Sequence, residues 1–232
     1  MFESKYSKVL TVILVIVIIA ILGLIGFLGY DYYKKNQISK EASEFVDNYN
    51  GDLSEPEDTN NGDNTGSENQ NRNEIESTPT ANNVGGNNSS STYQKGNYKG
   101  YATVGTMEIP AINFSYPIID SVSKSSIETS IAVLYPPGGE TINQPGNTVV
   151  IGHNYRNGVF FSNNKKLNVG DKIYVKDYRG KRVTYTIYNK FETSDQDTSF
   201  YQRETNGKAE LTLSTCTDAS NDRRLIILAR ED

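Results

Sequence analysis

The 232-residue chain has one cysteine, one histidine and no tryptophan. One Cys excludes a disulfide within the chain and any zinc site built on several thiolates. A surplus of positive charge is missing too: 23 Lys and Arg stand against 28 Asp and Glu, a formal net charge of -5. Residues 1–40 hold 5 basic and 2 acidic side chains, residues 41–92 hold 1 and 11, and residues 93–232 hold 17 and 15. The acidity therefore sits in the middle of the chain. The near-neutral C-terminal part lacks the basic surface of a nucleic-acid-binding domain, so no nucleic-acid partner is expected.

Charge is absent altogether between Lys8 and Asp31, where Val9 to Gly29 carries Thr11 as its only polar side chain. At about 1.5 Å per residue such a run spans roughly 30 Å as a helix, the thickness of a bilayer's hydrocarbon core. The run is too long for a cleavable signal peptide and leaves through Tyr30, Tyr32 and Tyr33, which suit a membrane interface. Residues 1–35 are thus expected to be a short tail and an uncleaved, single-pass anchor. Lys5 and Lys8 on one side face Lys34, Lys35 and Lys40 on the other, so charge alone does not orient it.

Aromatic residues are lacking from Asn50 to Thr92, where Asn, Gly, Ser, Thr, Glu and Asp dominate. Such a composition buries too little apolar area to offset chain entropy. Residues 36–92 are therefore expected to form a disordered acidic linker, reaching roughly 35–40 Å as a flexible tether. Ile38 to Tyr49 is compatible with a frayed continuation of the membrane helix.

From Tyr93 the aromatics return, and short apolar runs alternate with Gly, Pro, Asn and Asp. This pattern predicts strands near Thr103–Ile109, Phe114–Ile119, Thr148–Gly152, Lys172–Lys176, Arg182–Tyr188, Glu210–Ser214 and Leu225–Ala229. Short helices are expected near Ser125–Ser130 and Phe160–Lys166. That many strands in residues 93–232 point to an all-β closed barrel or sandwich, because an open sheet would leave unprotected edges. A chain starting near Tyr93 is expected to fold by itself.

The lone Cys216 ends the run Leu211-Thr212-Leu213-Ser214-Thr215, and is either a buried apolar side chain or a reactive thiol. The only His, His153, follows the strand Thr148-Val149-Val150-Ile151-Gly152. A thiol needs a base or cation beside it to ionise at neutral pH, and acyl transfer needs donors aimed at the developing oxyanion. Arg224, eight residues after Cys216 at the start of an apolar strand, meets the second need if the two strands form a hairpin. Its neighbour Arg223 would face the other way. In the polar segment Thr193–Tyr201, Phe200 and Tyr201 could cover an apolar peptide or cap the core, and Ser214 and Thr215 form the rim of the Cys strand.

Thr212-Leu213-Ser214-Thr215-Cys216 with Arg224 downstream, and Asn147 to His153 ahead of them, resemble the sortases. These are cysteine transpeptidases that attach proteins to Gram-positive cell walls. Met107-Glu108-Ile109-Pro110, Ser115-Tyr116-Pro117-Ile118 and Leu167-Asn168-Val169-Gly170-Asp171 are also similar to that family, so the likeness runs from Gly105 to Arg230. It implies an eight-stranded β-barrel as the catalytic domain of residues 93–232, and a Cys216, His153 and Arg224 site. It also implies an anchor with its N-terminus in the cytoplasm, leaving the catalytic domain outside the cell.

The implied substrates are secreted proteins with a Leu-Pro-x-Thr-Gly-like sorting signal, and the implied acceptor is an amine of a peptidoglycan precursor or a pilin Lys. Within the family, the Asp-Pro-aromatic lid motif is missing and Thr193–Ala209 is too short for the class B insertion, although Thr212 to Cys216 and Asp218-Ala219 resemble class B locally, so the resemblance favours a compact class D or E type. Asp120, Glu128, Asp195, Asp197 and Glu204 could hold calcium as in class A, but scattered loop carboxylates of this kind are expected to be solvated. No cofactor and no required metal are expected. Competing readings are a tethered β-domain that binds wall components with an inert Cys216, and a hydrolytic cysteine peptidase.

Overall fold

The computed structural model describes residues 3–52 and 94–232. A continuous helix, α1 (Glu3–Asp52), precedes nine strands. These are β1 (Gly96–Tyr98), β2 (Tyr101–Ile109), β3 (Phe114–Ile119), β4 (Ile131–Tyr135), β5 (Gly146–Ile151), β6 (Lys172–Asp177), β7 (Arg182–Ser194), β8 (Ala209–Cys216) and β9 (Arg223–Glu231). A short helix, α2 (Lys124–Ile127), lies between β3 and β4, and 3-10 turns cover Pro110–Ile112 and Phe161–Lys166.

The strands run in the order β1-β2-β3-β4-β5-β8-β9-β7-β6, and β6 pairs back onto β2. That last pairing closes eight strands into a barrel, with β1 a short addition beside the start of β2. Closure removes the edges that an open sheet would expose. The interior is filled by Met107, Ile109, Ile118, Val150, Phe161, Leu213 and Ile227, all fully buried. β6 alternates buried and less buried positions as a strand covered on one face does, whereas nearly all of β8 is buried. The outer face of β8 is covered by polar partners, Arg203 and Arg230 on Glu210 and Arg203 and Asn147 on Thr212, and beside it a second, smaller apolar cluster outside the barrel packs Phe200 with Val149, Ile226 and Leu228.

Two strands escape the sequence pattern. β4 is the continuous apolar run Ile131-Ala132-Val133-Leu134-Tyr135, which has no alternation and follows a Ser-rich turn. β1 is only three residues long. The helix expected over Ser125–Ser130 starts at Lys124 and ends sooner, with a capping box between Ser123 and Ser126.

The larger difference concerns the expected linker. Residues 36–52 are helical, and Ala42 and Val46 are fully buried against the barrel. The Ser39 hydroxyl bonds the Tyr116 hydroxyl at 2.9 Å, Tyr49 donates to the Thr103 carbonyl at 3.4 Å, and Lys176 donates to the Asn50 carbonyl at 2.7 Å. Phe45 and Tyr98 meet edge to face at 4.9 Å. The acidic composition of 41–52 belongs to the helix's solvent side, while Ser39, Ala42, Val46 and Tyr49 recur at helical spacing on the side that meets the barrel. The rest of the expected linker, residues 53–93, lies outside the described residues.

Candidate active site

β5 and β8 are parallel neighbours, with Ile151 opposite Ser214, so their C-terminal ends deliver His153 and Cys216 to the same end of the barrel. The Thr215 hydroxyl donates to the Gly152 carbonyl at 2.7 Å and ties the two ends together. Gly152 has no room for a side chain, since a Cβ there would lie 2.8 Å from Ile131 and 2.9 Å from Phe161. β8 and β9 are antiparallel with Cys216 directly opposite Arg224, and paired residues project from one face. Arg224 Nη1 lies 3.5 Å from Cys216 Sγ and donates to the Asn221 carbonyl at 2.5 Å. Arg223 points the other way, to Glu192 at 3.4 Å.

Cys216, His153 and Arg224 line one cleft of about 250 Å³. Its walls are apolar at Ile127, Leu134, Ile151, Phe200 and Tyr201, and acidic at Asp195 and Asp197. Phe200, only 4% exposed, is at once a core residue and a cleft wall. Tyr201 is half-buried and lies 5.6 Å from the Tyr135 ring. Ser214 and Thr215 line the cleft but are buried, and Thr215 is committed to Gly152. The Phe200–Tyr201 segment is fixed by Asn147, whose amide donates to the carbonyls of both residues at 3.0 and 2.9 Å. Hydroxyls of Ser199 and Thr193 hold the Asp197 carboxyl below its usual pKa. Among the described residues no group of three or more His, Cys, Asp or Glu is placed to hold a metal ion.

His153 stacks on Tyr155 at 4.8 Å, and burial pushes its pKa below the ordinary imidazole value. The charge of Glu128 acts in the opposite direction, favouring the imidazolium. The imidazole is therefore mostly neutral at pH 7 in the free protein. By NMR, its titration midpoint is expected below 6.5, and Glu128→Gln should move it lower still. A midpoint above 6.5, or one raised by Glu128→Gln, would contradict this account.

Sequence reading missed the residues that join the His loop to the Cys loop. The Asn154 amide donates to the Cys216 carbonyl at 2.9 Å and to Asp218 Oδ1 at 2.8 Å. Arg156 donates to the carbonyls of Asp218 and Thr217 at 2.9 and 3.1 Å, and to Asn221 Oδ1 at 3.1 Å. The Asn221 carbonyl in turn accepts from Arg224, so one network joins the loop that follows His153 to both Cys216 and Arg224. Nothing in the spacing of Asn154 or Arg156 marks this role, because their partners lie 60 or more residues away.

The sortase-domain family model matches residues 107–232, more than half of the chain. Sortase A of Bacillus anthracis is 26% identical over 127 residues, which are 54% of this chain and 58% of that protein. The chain thus spans less than two thirds of the length of that curated relative. The lid mutant of sortase A from Corynebacterium diphtheriae superposes with a TM-score of 0.52 at 24% identity, covering 57% of this chain and 71% of that one. Sortase C1 of Streptococcus agalactiae, in complex with MTSET, gives 0.51 at 21% identity, covering 56% and 69%. Both share the barrel fold. With its family domain matched from Met107 to the last residue, the chain belongs to the sortase family.

Proposed function

We propose that this chain is a membrane-anchored cysteine transpeptidase that cleaves a Leu-Pro-x-Thr-Gly-like sorting signal and transfers the new carboxyl end to an amine. The observation that carries the reading is the shared cleft, which Cys216 and His153 both line and where the Arg224 guanidinium stands 3.5 Å from the sulfur. Cys216 as thiolate attacks the Thr carbonyl carbon, and the carbonyl oxygen becomes an oxyanion. Collapse of that intermediate breaks the Thr–Gly bond, with His153 as imidazolium giving its proton to the departing Gly amine. Arg224 donates to the oxyanion or to a substrate carbonyl. An amine acceptor then attacks the thioester, gives its proton to His153 and releases Cys216.

The apolar walls at Leu134, Ile151, Phe200 and Tyr201 suit the Leu-Pro part of the signal. The segment 195–208 between β7 and β8 holds no helix, in keeping with a compact class D or E type. The helix Lys8–Asp52 is long and apolar enough to cross a membrane, with mean hydropathy 3.3 in its most apolar window. On this reading residues 1–35 form the anchor with its N-terminus in the cytoplasm, and the barrel is the extracellular catalytic domain. The partners are secreted proteins with sorting signals, and the acceptor is a peptidoglycan-precursor amine or a pilin Lys.

Mass spectrometry of the chain with sorting peptides, with and without added amines, tests the proposal. The expected products are an amide of the Thr carboxyl when amine is present and a slower free acid when it is absent. Free acid alone under both conditions would make the protein a hydrolytic peptidase, and no cleavage would leave a binding domain.

A further inference from the structure

We propose that the cavity between α1 and the loop after His153 binds the phosphate of an anionic membrane phospholipid. This cavity, about 410 Å³, is lined by Lys35 of α1 and by Arg156, Lys165 and Lys166 of the barrel, with Asn157 and Asn163 between them. The inference rests on the membrane-anchor reading of α1 and is independent of the transpeptidase chemistry.

Four cations here face one carboxylate, because only Lys165 is paired, with Asp218. Arg156 spends its donors on two carbonyls and an amide oxygen and shares the charge of Asp218 with Lys165, so one carboxylate serves two cations. No carboxylate lies within ion-pair distance of Lys35 or Lys166 among the described residues. Lys35 is held against the barrel: a methyl group at Gly158 would come within 2.7 Å of its ammonium. The neighbouring cavity on α1 is different in kind, since Asp31 and Glu128 line it beside Lys34 and Lys35. In the first cavity, the cations without a carboxylate partner are Lys35 and Lys166.

Height above the membrane selects the ligand. The apolar run ends at Gly29, and Lys35 follows six residues later on the same unbroken helix, roughly 9 Å further out. The headgroup layer of one leaflet is about 5–8 Å thick, so the Lys35 backbone stands just beyond its outer edge, a distance that its four-carbon side chain bridges. Tyr30, Tyr32 and Tyr33, all strongly exposed, mark the interface just below. Because Ala42 and Val46 fix the helix to the barrel, the barrel's share of the cavity is fixed at that level as well. Ammonium and guanidinium donors with side-chain amides at headgroup level suit a lipid phosphate.

The test uses the full chain in detergent micelles, titrated with phosphatidylglycerol or phosphatidylcholine of the same acyl chains and read by native mass spectrometry. Phosphatidylglycerol should be retained preferentially, and the Lys35→Gln/Lys166→Gln variant should weaken its retention about thirtyfold. Lys8→Gln, at the opposite membrane interface, should leave it unchanged. Equal retention of the two lipids, or unaltered retention in the double variant, would overturn the proposal. An unchanged melting temperature certifies the double variant's fold, and Lys166→Gln alone, on an exposed side chain, should give a smaller loss in the same direction. Displacement of the lipid preference by millimolar inorganic phosphate, with equal affinity for phosphate in lipid-free micelles, would reassign the cavity to a soluble anion. If the full chain fractionates away from membranes, the anchor reading fails instead, whatever the lipid titration gives.

Discussion

Replacing Cys216 by Ala is expected to abolish both the thioester adduct and every cleavage product, because no other thiol exists in the chain. His153→Ala should lower turnover by about 10²–10⁴, the usual worth of a positioned general acid and base, with the thiol still present. Arg224→Lys should cost about 10²–10³. Arg224 Nη1 alone makes the Asn221 and sulfur contacts, which leaves the other guanidinium nitrogens for a substrate, whereas an ammonium has one nitrogen for all three. The assay is single-turnover mass spectrometry of the acyl-enzyme beside steady-state product analysis. The thioester should vanish in the Cys variant, and it should form slowly in the Arg variant. A thioester in the Cys216→Ala protein, or full turnover in His153→Ala, would end the proposed mechanism. Full turnover in Arg224→Lys would instead remove only the guanidinium from it.

The three residues are legible in the sequence as candidates because chemistry and pattern coincide on them. A lone thiol and a lone imidazole each stood at the end of an apolar strand, and an Arg opened the next strand. Their mutual position was less legible. The pairing of Cys216 with Arg224 depends on a hairpin register that alternation alone leaves open by one residue, and it places Arg224 on the face of the sulfur. Phe200 shows a different limit. From sequence it could be cleft or core, and it proves to be both, since the cleft wall is the outer surface of the second apolar cluster. Asn154 and Arg156 were invisible because their role is made of hydrogen bonds to backbone far away in sequence. β4 is not legible in the sequence, because a strand buried along most of its length has no period to detect.

The helix that follows the apolar run is hard to read from sequence for a related reason: its average composition is polar, whereas burial depends on one face. This changes where the folded unit begins. A chain of residues 93–232 lacks Ala42 and Val46, loses the bonds made by Ser39, Tyr49 and Asn50, and exposes the apolar surface around Tyr98 and Tyr116. One buried Val contributes about 1.5–3 kcal/mol and each net hydrogen bond about 0.5–1.5. The expected loss is about 4 kcal/mol, a large share of the 5–15 kcal/mol typical of a domain. Compared with a chain of residues 34–232, which keeps the docked turns but not the apolar run, Tm should fall by about 8–16 °C. Ala42→Arg in the longer chain should reproduce much of that fall, because Ala42 is fully buried in the main core and an Arg there must either push the helix off or leave its charge unpaired. Scanning calorimetry of the three proteins decides the matter. Equal Tm values for 93–232 and 34–232 would mean that the helix adds no stability to the barrel, and the folded unit would then begin near Tyr93.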